Sequence, residues 1–204
     1  MAMSGAMIIA ANLLSGLGLI AGIAITLVFA ALFSSYLYFV RELVLGGKAS
    51  INELSRSFKL YFWDIINLGF VVWILELLVG LLVARSSQGV VILAFLHFAE
   101  FVLLNAAPEI IYVHHTYGGL ATVQRSIRFI HENWIEWFFP NLIVAAIFYF
   151  GLPILWSSGL PVVLISLTVG VIFHFSFVFR GCLFIELDSS SHRQRMHKYR
   201  TLKS

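Results

Sequence analysis

Five long apolar stretches alternate with short polar connections along this chain. They cover approximately residues 10–40, 62–84, 89–113, 134–156 and 160–179. Each stretch is close to the length of about 20 nearly uncharged residues that an α-helix needs to cross a bilayer. The pattern predicts an all-α, polytopic membrane protein with five transmembrane helices.

Two of the connections, 48–60 and 120–132, have an amphipathic pattern of their own. In each one, apolar residues recur at helical spacing on one face and polar residues occupy the other. The basic residues on the two polar faces are Arg56, Lys59, Arg125 and Arg128. Short helices with this pattern lie in the headgroup region, with their apolar faces toward the lipid tails. We therefore predict two interfacial amphipathic helices; the alternative is that these residues extend the spanning helices into water.

The two amphipathic segments belong to longer blocks that repeat along the chain. Gly46-Gly47 aligns with Gly118-Gly119, and the residues around each pair align without gaps. A glycine pair can end a helix, because glycine readily adopts the positive φ of a helix C-cap. We predict a single membrane domain, 1–204, with an internal pseudo-repeat: repeat 1 at about 13–84, repeat 2 at about 89–156, then a fifth helix at 160–180 and a basic tail at 181–204.

The distribution of Lys and Arg indicates how the chain crosses the membrane. Of the 13 Lys and Arg residues, all but Arg85 lie in alternate connections or in the tail. Loops on the cytoplasmic side of a membrane are enriched in these residues. We therefore predict an outside N-terminus, a cytoplasmic C-terminus and a location in a bacterial cytoplasmic membrane. An aromatic belt is expected on the same side, formed by Tyr61, Phe62, Trp63, Trp134 and Trp137.

Composition agrees with this class of protein and excludes others. The chain is 60% hydrophobic and 11% charged, whereas a soluble domain has about 25% charged residues. Five spanning helices use nearly all of the 204 residues, so we expect no soluble catalytic domain. The net charge of +3 reflects the bias of one membrane side and does not indicate nucleic-acid binding. The single cysteine, Cys182, excludes an internal disulfide and a cysteine-based metal site.

Ionisable residues inside a span have an energetic cost that makes them candidate functional residues, and four of them stand out in the predicted spans. They are Glu76, His97, Glu100 and His174. Glu76 lies nine residues before Arg85 and His97 nine residues after Gln88. The two therefore share a depth on neighbouring helices of a hairpin. His97 and Glu100 are three residues apart, so they face the same way on one helix.

Several interpretations of this intramembrane cluster stay open. The Glu and His side chains can pair with one another and fix the helix packing. They can relay protons, because histidine titrates near neutral pH. Two carboxylates and two imidazoles can also bind zinc or iron, and His97 with His174 can ligate a haem. We predict no cofactor and leave the metal unspecified.

A second polar set lies toward the other end of the third predicted span: Asn105, Glu109 and Tyr112. Pro108 lacks an N–H, so the carbonyl of Leu104 loses its helical partner and the helix is expected to kink. The set can line a polar cavity, or it can pack against the amphipathic segments. In the second case we expect Arg125 or Arg128 to pair with Glu109.

Part of this layout resembles a known group of membrane proteins. The resemblance covers roughly residues 40–135: the helix before the glycines, Gly46-Gly47-Lys48-Ala49-Ser50, and the run from Arg125 to Trp134. These features are similar to those of the uncharacterised bacterial YciC-like multi-pass proteins and of the membrane domain attached to some glycerophosphodiester phosphodiesterases. The resemblance implies a membrane module without established chemistry. No phosphodiesterase domain accompanies it in this sequence, so that activity is not implied.

The sequence contains no motif for a catalytic nucleophile, a metalloprotease or a phosphate-binding loop. We therefore do not expect an enzyme, and predict an accessory or scaffold subunit of a larger membrane complex. The alternatives are transport of protons, ions or lipid-like molecules by the Glu and His residues in the spans, and a membrane metal site. The expected partners are the lipid bilayer, other membrane-protein subunits, and an anionic lipid or acidic partner at the basic tail; no nucleic acid is expected.

Overall fold

The computed structural model describes residues 19–46, 54–115 and 118–190. These residues form six helices and no strand: α1 (Leu19–Val44), α2 (Leu54–Val83), α3 (Gly89–Leu103), α4 (Ala107–His114), α5 (Gly119–Ser157) and α6 (Val162–Ser189). Helices α3 and α4 together make one span, and five spans are long and apolar enough to cross a membrane. The prediction of an all-α, multi-pass membrane protein is confirmed.

Three helices end beside a residue with positive φ, namely Gly46 after α1, His115 after α4 and Gly159 after α5, so that residue is not always glycine. Gly46, just after α1, has a φ of 75°, as expected for a helix-ending glycine. At the end of α4, however, His115 adopts the left-handed conformation with a φ of 47°. Gly118 and Gly119 come later and lead into α5. The prediction that this second glycine pair ends a helix is therefore wrong, because the pair begins the next one.

Gly119 is required by a close contact between helices. A Cβ atom at this position would overlap the carbonyl oxygen of Asn67 in α2. The N–H of Gly118 also donates to the carboxylate of Asp64 in α2. Helix α5 therefore begins with its backbone against α2, at the end of the bundle where α1, α4 and α6 finish. We call this the basic end, because its connections carry most of the Lys and Arg residues, and the opposite end the far end.

The structure joins each amphipathic segment to the span that follows it. Residues 54–60 are the first turns of α2 and continue into the span without a break. Residues 119–132 are joined to the rest of α5 across a kink at Asn133, which has non-helical angles of φ −131° and ψ 21°. Residues 48–53 of the first segment lie outside the described residues. The placement of both segments in the membrane plane, and the pseudo-repeat, stay predictions.

The buried core lies near the basic end. One cluster comprises Ala106, Ile110, Phe129, Ile130, Trp137, Phe184 and Leu187. The other comprises Leu37, Val40, Tyr61, Ile111 and Tyr112. Toward the far end α1 and α6 still contain buried residues, Ala21, Ile165 and Val169, but the most apolar 18-residue stretches of α2 and α5 contain none. The short helix α4 sits between the two clusters and ties α1, α5 and α6 together.

The predicted aromatic belt divides into two groups. Trp63 and Trp134 are exposed on the outside of the bundle, where a belt residue would meet lipid headgroups. Tyr61 and Trp137 are completely buried, so their assignment to the belt is wrong. Both are buried because their polar atoms find partners inside the protein: the Tyr61 hydroxyl donates to the carbonyl of Tyr112 at 3.4 Å, and the Trp137 indole donates to Asn105 at 3.0 Å.

Candidate functional site

A buried ion pair joins α4 to α6 near the basic end. Arg180 Nε donates to Glu109 Oε1 at 2.9 Å, and Arg180 Nη2 donates to Glu109 Oε2 at 3.1 Å. The Glu109 side chain is 0% exposed and that of Arg180 is 16% exposed. A planar guanidinium matches a carboxylate in this two-bond geometry, which gives the strongest kind of side-chain ion pair. The expectation that Arg125 or Arg128 pairs with Glu109 is therefore wrong.

The same guanidinium also donates hydrogen bonds to the helix break, residues 104–106, which separates α3 from α4. Arg180 Nη1 donates to Asn105 Oδ1 at 3.2 Å, and Arg180 Nη2 donates to the Asn105 carbonyl oxygen at 2.5 Å. The Trp137 indole N–H donates to Asn105 Oδ1 as well, and the Arg180 guanidinium lies 5.0 Å from the centre of the Trp137 ring. All polar atoms of this cation thus find partners, and the group is closed rather than open to a ligand.

The other carbonyls released by the helix break are also paired. Ser126 Oγ on α5 donates to the Leu103 carbonyl oxygen at 2.6 Å. The Leu104 carbonyl oxygen, for which Pro108 predicts a lost partner, accepts from the N–H of Ala107 at 3.0 Å. The break packs against α5 through Phe129 and Ile130. The residues next to the second polar set, Ala106 and Ile110, therefore pack against the first half of α5, whereas Asn105 and Glu109 contact Trp137 and Arg180.

Tyr112, the third member of the second polar set, has an unusual environment. Its side chain is completely buried, and its hydroxyl has no hydrogen-bond partner among the residues that the structure describes. The hydroxyl lies against Gly181, where a Cβ atom would overlap it and a Val44 methyl group. Gly181 therefore lets α1, α4 and α6 meet closely at the Tyr112 ring.

Three of the four intramembrane candidates come together on the α2–α3 hairpin. His97 Nε2 lies 3.3 Å from Glu76 Oε1, the contact that equal depth predicts. One ligand atom from each of Glu76, His97 and Glu100 lies within 4.8 Å of the other two. We call these three residues the hairpin triad. The Glu76 and His97 side chains are 40% and 59% exposed, so these two residues lie on the outside of the bundle, whereas the Oε1 atom of Glu100 is buried.

His174, the fourth candidate, lies elsewhere. Its Nδ1 is 3.5 Å from the hydroxyl of Tyr36 on α1, and its ring lies beside that of Phe39. It shares a predicted depth with Glu100 but faces α1, not α3. The structure thus places a two-carboxylate, one-imidazole group where the sequence suggested a group of four.

The predicted interfacial basic residues have different surroundings. Arg125 and Arg128 are exposed and line a cavity of about 700 Å³ at the basic end. Lys59 is exposed, with its Nζ 5.7 Å from the centre of the Phe58 ring. The side chain of Arg56 lies outside the part of the chain that the structure describes. Neither Arg125 nor Arg128 forms an ion pair with any residue inside that part.

His115, just beyond the end of α4, is a partly buried histidine at the basic end. The ring stacks on Tyr61 with 5.0 Å between centres. Burial lowers the pKa of His115, and the positive charge of Arg41 lowers it further. This histidine is therefore held neutral at pH values where an exposed imidazole already begins to protonate.

Sequence reasoning missed Arg180 and Trp137, the two residues that complete the buried network. A usable signal is present: Arg180 is followed by Gly181-Cys182-Leu183-Phe184-Ile185, an apolar run that continues the helix beyond the charge.

Comparison with protein-family models, with curated proteins and with solved structures gave no match to this chain.

Proposed function

We propose that this protein is a non-catalytic accessory or scaffold subunit of a larger membrane complex in a bacterial cytoplasmic membrane. The observation that carries the proposal is the hairpin triad, which lies half-exposed within two apolar spans. A charged side chain at the centre of a bilayer costs about 2.5–3.5 kcal/mol on insertion scales. A partner helix with polar groups would remove much of that cost by covering the triad.

The packing around the triad supports the same proposal. The far halves of α2, α3 and α5 contain few buried residues, so their apolar faces are available to other helices. In contrast, all the donors of the Arg180 guanidinium are paired with Glu109 and Asn105 within the chain. The basic end is then the rigid base, and the α2–α3 hairpin is the docking element.

The experiment is photo-crosslinking in the native membrane, with one photoreactive phenylalanine analogue per variant. Phe101 lies one residue after Glu100 and one turn after His97, and is 67% exposed. Phe175 is also 67% exposed but lies on α6, next to His174. We expect a membrane-protein adduct at Phe101 and none at Phe175.

A second comparison tests whether the triad itself recruits the partner. Replacing Glu76, His97 and Glu100 together by leucine should abolish the Phe101 adduct while the protein still inserts and remains helical. If Phe101 crosslinks only to lipid, or the adduct survives the triple replacement, the scaffold proposal fails at this surface. An adduct between two copies of the chain would make the triad the centre of a homo-oligomer instead.

The geometry of the triad favours one second candidate, a transition-metal site. Two carboxylates and one imidazole with ligand atoms within 4.8 Å leave coordination positions open, as in zinc sites that bind water or substrate. Metal analysis of the purified protein and of the triple leucine variant separates the candidates. One equivalent of zinc, iron or manganese that disappears in the variant supports the metal site. Transport through the chain is the weaker proposal, because the triad lies outside the bundle rather than along its axis.

A further inference from the structure

The cavity at the basic end has two chemically different walls. It lies between α4, the first half of α5 and the last turns of α6, and has a volume of about 700 Å³. One wall is apolar and consists of Ile110, Phe129, Phe184 and Leu187. The other carries ionisable groups: His114, Arg125, Arg128, His131, Glu132 and Asp188. The cavity is therefore amphiphilic, with ionisable groups of both signs on one wall and core side chains on the other.

The charges on the polar wall are unevenly satisfied. The Asp188 carboxylate is engaged by His114, with Oδ2 to Nε2 at 3.0 Å. Arg125 and Arg128 lie three residues apart and therefore project from the same side of α5. Within the described residues neither forms an ion pair. The Arg125 and Arg128 guanidinium groups are therefore available to an anionic ligand, and a phosphodiester can accept hydrogen bonds from both.

The position of the cavity selects among phosphate-bearing ligands. Its apolar wall belongs to the same cluster that surrounds Trp137 and the helix break, so the base of the cavity is continuous with the membrane-spanning core. Its rim is formed by the end of α6 and by the polar segment before the Asn133 kink. A free phosphate would leave the apolar wall uncovered. A lipid would place its phosphate on the arginines and its glycerol and first methylenes on that wall.

We infer that this cavity binds the headgroup of an anionic glycerophospholipid, with Arg125 and Arg128 on the phosphate. This inference is independent of the proposed scaffold role, since the hairpin triad lies toward the other end of the bundle. It also differs from general attraction of the basic tail to a charged membrane surface, because it requires two particular guanidinium groups and a shaped apolar wall.

The test measures lipid binding to the purified full-length protein in detergent by native mass spectrometry. Phosphatidylglycerol is titrated against phosphatidylcholine, and inorganic phosphate serves as a soluble competitor. We expect one saturable phosphatidylglycerol site. In the variant Arg125→Gln/Arg128→Gln its affinity should fall at least about tenfold, since hydrogen bonds to charged groups are lost.

The matched control removes the same charge outside the cavity. The variant Lys59→Gln/Arg85→Gln should change the affinity less than about twofold, because neither residue lines the cavity and diffuse attraction alone is weak at physiological salt. A third variant, His131→Glu, keeps both arginines and adds a negative charge to the polar wall, so it should also weaken binding. It provides a separate measurement if the arginine variant fails to fold.

Three results would overturn the inference. Equal losses in the arginine variant and the charge-matched control would mean that only net charge matters. Equal affinity for phosphatidylglycerol and phosphatidylcholine would remove the requirement for an anionic headgroup. Displacement of the lipid by millimolar inorganic phosphate would assign the arginines to a soluble anion instead.

Discussion

This protein has two polar networks, which differ in how the free-energy cost of removing their charged groups from water is compensated. The Arg180–Glu109 pair is buried and every polar group of the guanidinium is used inside the chain. The hairpin triad has similar side chains but lies half-exposed on the outside of the bundle. The first network therefore has all its partners within the chain, whereas in the second the Glu76–His97 contact leaves both side chains partly exposed.

The packing around the two networks differs in the same way. Near the basic end the helices approach closely enough to require glycine at positions 119 and 181. Toward the far end, a Cβ atom added at Gly80 would meet no atom of a neighbouring element within 4 Å. At the far end the one close glycine contact among the described residues is local to the α2–α3 turn, where a Cβ atom at Gly89 would overlap the Val83 carbonyl oxygen. The close contacts between non-consecutive helices at these glycines therefore lie near the basic end.

The largest effect is expected from breaking the buried ion pair. Arg180→Met should lower the free energy of unfolding by about 3–5 kcal/mol, because it leaves the Glu109 carboxylate buried without its cation. The measurement is unfolding by sodium dodecyl sulfate in mixed micelles. The matched control, Arg85→Met, removes an exposed arginine at the far end and should change stability by less than about 0.5 kcal/mol.

The double variant Arg180→Met/Glu109→Leu should be more stable than Arg180→Met alone. Removing both charges eliminates the unpaired carboxylate, although the Asn105 carbonyl still loses its donor at a cost of about 1–3 kcal/mol. A double variant as unstable as the sum of the two single variants would show that the charges act independently, and the pair would lose its structural role.

The next largest effect is expected from glycine-to-alanine substitutions, which should change the free energy of unfolding differently in the two regions. Gly119→Ala places a Cβ against the Asn67 carbonyl oxygen and should cost about 1–3 kcal/mol, as overpacking of a tight contact does. Gly80→Ala, in an open part of α2, should instead be neutral or stabilise by up to about 1 kcal/mol through helix propensity. Thermal unfolding followed by helical circular dichroism checks both. Equal destabilisation by the two variants would contradict the difference in packing.

A smaller difference in the free energy of unfolding is expected between substitutions of two tryptophans. Trp137→Phe should cost about 1–2 kcal/mol, because it removes the indole N–H that donates to Asn105 and weakens the contact with the Arg180 guanidinium. Trp134→Phe should cost less than about 0.5 kcal/mol, since Trp134 is exposed. Chemical unfolding of each variant in mixed micelles gives both values. A larger loss for Trp134 than for Trp137 would reverse the assignment of core and lipid-facing sides.

The coupling between Glu76 and His97 should be weaker than that in the buried pair. A double-mutant cycle with Glu76→Leu and His97→Leu should give about 0.6 kcal/mol, the average for polar pairs between membrane helices. The partial exposure of both side chains supports a value at this low end. A coupling free energy of zero would show that Glu76 and His97 do not interact. A coupling as large as that between Arg180 and Glu109 would mean that the triad is buried in the isolated chain.

These contrasts also explain which features the sequence could predict. Long apolar runs identify five spans, because only helices satisfy their backbone groups in lipid. The sequence predicts that the last span ends at 180, yet α6 continues to Ser189. The reason is Arg180: a charge usually marks the end of a span, and here it lies inside a helix because Glu109 compensates for it.

The contacts of the candidate site also differ in whether the sequence could predict them. The Glu76–His97 contact could be predicted because a short turn fixes the register of α2 against α3. Depth alone could not place His174, since residues at equal depth meet only if their helices are neighbours with the right rotation. The pairing of Glu109 likewise depended on the order of non-consecutive helices, which local periodicity does not contain.

The smallest effect is expected from protonation of His115. Its pKa is lowered by burial and by Arg41, so the unfolded chain binds a proton more readily than the folded protein. The stability contributed by the neutral ring is present above the ordinary value of 6.5 and is lost as the pH falls from there through the lower folded pKa. The loss should be well under the limit of about 1.4 kcal/mol per pH unit for one linked proton, because the ring is partly exposed and screened. Replacing His115 by Asn, which also tolerates the left-handed conformation, should flatten the pH dependence of the unfolding midpoint between about pH 7 and 5, a window set by the ordinary histidine pKa. An unchanged slope would assign the pH dependence to groups other than His115.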